Sequence, residues 1–594
     1  VFCAVGVLAV VAPLGALAQD SPGVSTGFEH SCVVTSTGSV KCFGSNEYGQ
    51  LGTGDAANRG DGTTGADMGD LLPDVDLGTG AVATAVSAGW SHTCALLEAG
   101  TVKCWGRNDF GQLGQGDSVD RGDTALSMGD NLAAIDLGTA PGGTGSAVAV
   151  AVTTGQQFTC VLLEGGSVVC FGRNDEGQCG RGGLQERVGS TATDMGDSLQ
   201  LVDLGAGVEA VSLSSGTAST CAVLLTGSVK CWGGNNYGGL GVGDSYNRGD
   251  EASDMGANLP AVDLGTGEMA SSVYYGLRHA CAILGGGKVK CWGDNRSGQL
   301  GLGHVRTIGD DDNEMGDNLA ALDLGVDGAA TRLALGESHT CAILSGDGSV
   351  KCWGKAFYGQ LGDEQFRARG KFPGEMGEGL SAVSLGTGTS AAAIATGWDH
   401  TCAVLDDGGL KCWGLNTVGG LGLGDTRARG DDAGEMGDGL TAVSLGTGIT
   451  VSVETLPTIA PTASPTASPV ATPSAQPSQG ASPQPSQQLS PSPTDSESPQ
   501  PTPAPSPEAD ARSIDIDTPA PTEEGTGGED AGTAGASGSG SEGGVLTSDN
   551  ITVAAYIAAP VIAIALLACF CARRRYRQVD AVSASVGARG GMFG

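Results

Sequence analysis

The sequence predicts an all-β fold: a seven-bladed β-propeller, followed by a disordered Pro/Ser/Thr-rich stalk and one transmembrane helix. Three observations carry this reading. A cysteine-bearing hairpin recurs seven times, a second block recurs seven times out of phase with it, and one apolar run of membrane length stands near the C-terminal end.

In chain order, the run from Val1 to Leu17 is apolar and closes in Ala16-Leu17-Ala18, a small-residue cleavage pattern that predicts a signal peptide over 1–18. The propeller is expected over 19–456. One unit of it reads Val86-Ser87-Ala88-Gly89-Trp90-Ser91-His92-Thr93-Cys94-Ala95-Leu96-Leu97, then Glu98-Ala99-Gly100, then Thr101-Val102-Lys103-Cys104-Trp105-Gly106, and copies follow at a period of 60 to 66 residues. Two apolar, β-favouring runs flank a short loop ending in Gly, which is a hairpin by its chemistry. Pairing Leu97 with Thr101 places Cys94 opposite Cys104, at the separation a disulfide requires. The same register predicts Cys32 with Cys42, Cys160 with Cys170, Cys221 with Cys231, Cys281 with Cys291, Cys341 with Cys352, and Cys402 with Cys412. The sixth pair encloses one extra residue, which the loop Ser345-Gly346-Asp347-Gly348 absorbs.

The second block, Met-Gly-x-x-Leu-x-x-[VIL]-[DS]-Leu-Gly, begins at Met68, Met128, Met195, Met255, Met315, Met376 and Met436. It predicts an outer strand such as 75–77, and the run 83–87 predicts a further one, giving four strands per unit as in a propeller blade. The first hairpin has no block before it and the last block has no hairpin after it, so the count closes only in a ring. The expectation is that 443–445 pairs with the blade begun near Val24, leaving no open sheet edge.

Beyond the repeats, 457–544 holds 17 of the 24 prolines with no cysteine and no aromatic residue. Such a composition cannot bury a core and predicts an extended, O-glycosylated stalk over 457–550. Residues 551–572 are 22 mostly apolar positions, about 33 Å of helix, and predict a membrane span. Arg573, Arg574, Arg575 and Arg577 follow at once and place the tail, 573–594, in the cytoplasm. The expected localisation is therefore the plasma membrane, with the N-terminal side outside.

The formal net charge of −36 argues against nucleic acid, which is bound by Lys and Arg that displace counterions. Eighteen cysteines at regular spacing speak for an oxidising compartment. His-x-Cys-x9-Cys could be read as a zinc site, but the third and fourth repeats carry Phe158 and Ser219 for His while keeping both cysteines, as sulfur-to-sulfur bonding requires. His30, His92, His279, His339 and His400 then read as structural groups between blades, and Cys179 as a buried thiol or a link to another chain. Arg-Gly-Asp at Arg59, Arg121, Arg248 and Arg429 resembles an adhesion tripeptide, yet it stands at one place in the repeat and reads as an inherited turn. The acidic run 310–314 lacks the glycine of an EF-hand loop, and Gly538-x-Gly540-x-x-Gly543 has neither a strand before it nor a helix after it. Cys569 and Cys571 stand where palmitoylation occurs. No nucleophile elbow, Walker loop or metalloprotease helix is present in the sequence, so the expectation is no enzyme, no catalytic residues, no metal and no cofactor.

His-Thr-Cys-Ala-Leu-Leu with Val-Lys-Cys-Trp-Gly-x-Asn-x-x-Gly-Gln-Leu-Gly-x-Gly-Asp, as over 92–117, resembles the regulator of chromosome condensation repeat in a cysteine-bearing extracellular form. The resemblance covers about 20–455 and implies a seven-bladed propeller. It implies little about activity, because the fold is a scaffold that hosts nucleotide exchange, inhibition and adhesion alike. The expected role is cell-surface recognition of an extracellular protein or glycan. Guanine-nucleotide exchange on a small GTPase, by family analogy, and a structural wall or coat role are the alternatives.

Overall fold

Alternating apolar positions and a glycine turn make each repeat fold back on itself, and the sheets follow from that. In a computed structural model, the described residues are 23–453 apart from 64–66, 144, 184 and 327. The expected signal peptide, stalk, membrane span and tail lie outside them. Among the described residues no helix is long and apolar enough to cross a membrane.

The first blade consists of β1 (Val24–Thr26), β2 (His30–Val34) and β3 (Val40–Gly44), and the second of β4 (Ala83–Ala88), β5 (His92–Leu97) and β6 (Val102–Gly106). Seven such antiparallel sheets occur, each in chain order from the innermost strand outward. In β5 and β6 the Leu97 amide donates to Thr101 O at 2.9 Å, Gly100 adopts φ 72° to close the loop, and Cys94 stands opposite Cys104. Every hairpin repeats this, and the seven cysteine pairs form disulfides with Cα separations of 4.0 to 4.1 Å. The insertion in the sixth hairpin is taken up in the loop, leaving Cys341 opposite Cys352.

The expected fourth strand is not formed as a strand. Each sheet has three strands, and only the third blade adds a two-residue fourth, Arg187–Val188, from a different part of the repeat. The Met-Gly block does lie outside its hairpin, where Val75 N–H donates to Val40 O at 2.8 Å and Val443 N–H to Leu410 O at 2.8 Å. It goes no further than this bond, with an isolated bridge in two blades (Val169 with Leu201, Lys230 with Ala261), because its next groups serve the neighbouring blade. The carbonyl of Asp76 accepts Gly129 N–H at 2.9 Å, and the same bond runs between every successive pair of blocks. The carbonyls of Leu77 and Gly129 both accept from Lys103 Nζ, at 2.8 and 3.1 Å. Backbone groups committed sideways cannot also extend a ladder.

Ring closure is present, but through another segment than expected. Residues 443–445 stay with the seventh blade; their backbone meets the first block through Ser444 O, which accepts Gly69 N–H at 2.9 Å, and Val443 and Leu445 pack in one cluster with Leu72. The closing strand is instead the inner strand of the first blade, which is split between the two ends of the domain. Val451 bridges Thr35 as Ala83 pairs with Leu97 one blade on, and Val24 then pairs with Val33 as Val86 pairs with Ala95. Ser36 N–H to Thr450 O and Ser452 N–H to Val34 O, both 2.9 Å, hold the C-terminal piece. The side chains of Thr447 and Asp70 add a bond of 2.8 Å across the same seam.

The core lies between blades. Trp105, Trp232, Trp292, Trp353 and Trp413 are fully buried, with Phe43 and Phe171 in the two blades that lack Trp. Trp105 Nε1 donates to Gln50 O of the preceding blade at 3.0 Å, and the other four repeat the bond. A buried indole thus satisfies its single donor while filling the gap between sheets.

Candidate functional site

Each inner strand ends in a glycine turn, Gly-x-x-His in five of the seven blades, and this turn builds one face of the ring. Gly27 N–H donates to His30 O at 2.8 Å, and a Cβ on Gly27 would meet Gly89 O at 2.3 Å, so the turn and the approach of the next blade both require glycine. The histidines turn inward and are fully buried. His30 Nε2 lies 3.0 Å from Thr93 Oγ1 of the next blade, whose own proton goes to Gln50 O at 2.9 Å. Thr93 can therefore only accept, which makes His30 the Nε2–H donor. His92 with Thr159, His279 with Thr340 and His339 with Thr401 repeat the contact, and His400 with Ser31 closes it across the seam at 3.1 Å. Burial, which penalises the charged form, holds His30, His92 and His339 down to about 3, and His279 and His400 to about 4. These five are neutral structural donors between blades, as the sequence suggests.

Where the repeat loses His, sequence reasoning found no substitute, and the structure has one. Ser219 sits in the histidine position of the fourth blade and donates to Gly234 O. Tyr275 of the next blade is buried against that turn, its phenol pushed up to about 12 by burial.

The inner strands surround a central channel of about 250 Å3. At its mouth the residue after the turn glycine is Phe28, Trp90 and Trp398 in three successive blades around the seam. Their rings are half-buried and in mutual contact. Phe28 lies 4.9 Å from Trp90 in a stacked pair and 3.7 Å edge-on from Trp398, and the two indoles are 5.4 Å apart. The pattern Gly-[Phe/Trp]-x-His was visible in the sequence, but nothing there brings its first and last occurrences, 370 residues apart, to one point. In the sixth blade the equivalent residue is Glu337. It pairs with Lys355 Nζ at 2.7 Å, and Asp399 joins the same ammonium at 2.9 Å. Gln360 adds a bond to Asp399 at 2.7 Å.

Other sequence candidates resolve into local structure. Arg59, Arg121, Arg248 and Arg429 each bind the Asp four residues earlier, at 2.6 to 2.8 Å, with side chains only 13 to 20% exposed. Glu314 of the acidic run accepts Gly309 N–H at 2.8 Å, so that carboxylate closes its own loop. Cys179 is buried and unbonded to another sulfur, its Sγ 3.5 Å from Arg173 O, and burial pushes the thiol well up. That placement fits the buried thiol and not a link to another chain. Among the described residues no three His, Cys, Asp or Glu side chains gather as a metal site would need.

The model of the regulator of chromosome condensation (RCC1) repeat matches residues 23–50, 83–112, 149–178, 270–299, 330–360 and 391–419, and a second model of the same description matches 37–96. The hairpin of the fourth blade, which carries Ser219 for His, lies outside those matches although it folds like the rest. The chain is 29% identical to the ultraviolet-B receptor UVR8 of Arabidopsis thaliana over 412 residues, 68% of this chain and 79% of that one. It is 28% identical to human E3 ubiquitin-protein ligase HERC2 over 326 residues, 54% of this chain and 6% of that protein. Among solved structures, yeast RCC1 (Prp20) bound to Kap60 superposes with a TM-score of 0.52 at 18% identity, covering 74% of this chain and 89% of that one. Prp20p of Saccharomyces cerevisiae gives 0.51 at 19%, covering 72% and 88%.

Proposed function

Because the chain belongs to the regulator of chromosome condensation (RCC1) repeat family, we propose that it is a non-catalytic recognition scaffold, a propeller held at the cell surface that binds an extracellular protein or glycan. The observation that carries this reading is the set of seven buried disulfides, one per blade, which persist in an oxidising compartment and not in the cytosol. The five histidines between blades, the five fully buried tryptophans, the buried lysines and the arginines of the acidic loops are engaged in holding blades or turns, which leaves the aromatic channel mouth as the feature not accounted for by folding. Propellers of this family bind proteins or act as exchange factors, and yeast RCC1 is seen bound to Kap60, so use of the ring as a docking body has precedent in the fold. The basic flank at 573–577 after an apolar run supports a membrane anchor.

Intact cells expressing the full-length chain test the reading by labelling with a membrane-impermeant amine reagent followed by crosslinking. Labelling of unpermeabilised cells, with capture of a surface partner or glycan, is expected. Labelling only after permeabilisation refutes it, and acceleration of nucleotide release from a small GTPase would move the chain to the exchange-factor class.

A further inference from the structure

We propose that the channel mouth is a subsite for the end of a neutral saccharide, an inference that rests on the recognition reading and names its ligand class. The chain carries a net charge of −36, yet none of the residues lining the channel is Asp, Glu, Lys, Arg or His. Of the carboxylates in the turns at the mouth, Glu337 and Asp399 are held by Lys355, and Glu29 accepts the Thr417 hydroxyl at 3.0 Å. A charged ligand would enter the channel without a counter-charge to replace its lost hydration, which is costly. A neutral one would not.

Two kinds of neutral contact are in place. The Phe28, Trp90 and Trp398 rings form a half-buried aromatic edge, which suits the apolar face of a sugar ring. Around the channel wall stand hydroxyls whose oxygens are already fixed as acceptors by the next blade: Ser25 takes Ala88 N–H at 2.9 Å, Thr153 takes Ser215 N–H at 3.0 Å, and Ser214 takes Tyr275 N–H at 2.9 Å. Each is half-exposed and keeps its own proton to give, so the wall offers oriented donors to the oxygens of a polyol. At about 250 Å3 the channel falls just under the range of roughly 300 to 1,000 Å3 for drug-sized ligands, so it admits one ring and not a long chain.

The test applies the purified full-length protein to an array of neutral, sulfated and uronate-bearing oligosaccharides, with an uncharged peptide series as competitor. At least one neutral oligosaccharide is expected to bind, at least 10-fold more weakly to Trp90→Ala and to Trp398→Ala and a few-fold more weakly to Ser25→Ala. Trp398→Phe, which keeps a ring, should fall between, and all variants must retain seven disulfides. Binding of acidic oligosaccharides alone, of the peptides in preference, of no neutral sugar, or with no dependence on the two Trp overturns the inference. Capture of a surface protein while no neutral sugar binds would leave the recognition reading standing and remove only this one.

Discussion

Replacing Val451 by Asp tests the split inner strand. Val451 is 2% exposed and bridges Thr35 in the first blade, 416 residues away in sequence, with Thr450 and Ser452 making the two flanking backbone bonds. Loss of the valine from its site removes about 1.5 to 3 kcal/mol of apolar burial. An unpaired carboxylate cannot remain in that place, so the segment peels away and forfeits the flanking bonds, about 1 kcal/mol each. The expected cost is therefore about 3 to 5 kcal/mol, read as a shift of the urea midpoint of the oxidised full-length chain. Proteolysis should also become faster at both 23–26 and 450–453. Val453→Asp is the control, since Val453 is 37% exposed and should change stability by no more than about 0.5 kcal/mol. Equal effects at the two positions, or a cost below about 1 kcal/mol at Val451, would refute the split-strand closure.

Three further outcomes are expected. Lys103→Met should cost about 1 to 3 kcal/mol in urea unfolding, because it strips the carbonyls of Leu77 and Gly129 of a shared donor; the third blade, with Val169 at that place, shows that the fold survives without one. The five buried histidines have folded pKa values lowered from 6.5 to about 3 or 4, so the unfolded chain takes up protons that the folded one refuses. Stability should then be flat above about pH 6.5 and decline as pH falls from there towards 4, and an unfolding midpoint constant down to pH 4 would contradict the burial of these rings. Cys179→Leu restores the residue found in the other repeats and should be neutral or stabilising within about 1.5 kcal/mol, while native Cys179 should resist maleimide until the chain unfolds.

Much of this architecture was legible because the hairpin is local. A loop of fixed length between two β runs sets the register, and the register sets which cysteines meet, so the seven pairings needed no long-range information. Ring closure was legible as a counting argument, but not its strand. Val24–Thr26 is too short to announce that it continues Val451 and Ser452, and the pairing joins the two ends of the domain. The outer block reads as a strand because its apolar alternation is genuine, while its carbonyls go to the next blade's amides and lysine. Tyr275 and the contact among Phe28, Trp90 and Trp398 were out of reach for a further reason. Each depends on the rotation between neighbouring blades, which no single repeat encodes.

The most direct test of an oxidised propeller is peptide mapping by mass spectrometry of the full-length protein, purified from its native source with free thiols blocked at lysis. Seven crosslinked peptides are expected, from Cys32–Cys42 through Cys402–Cys412, with Cys179 blocked only after denaturation. Free thiols in the hairpins, or bridges running between blades, would contradict both the fold's staples and the compartment inferred from them.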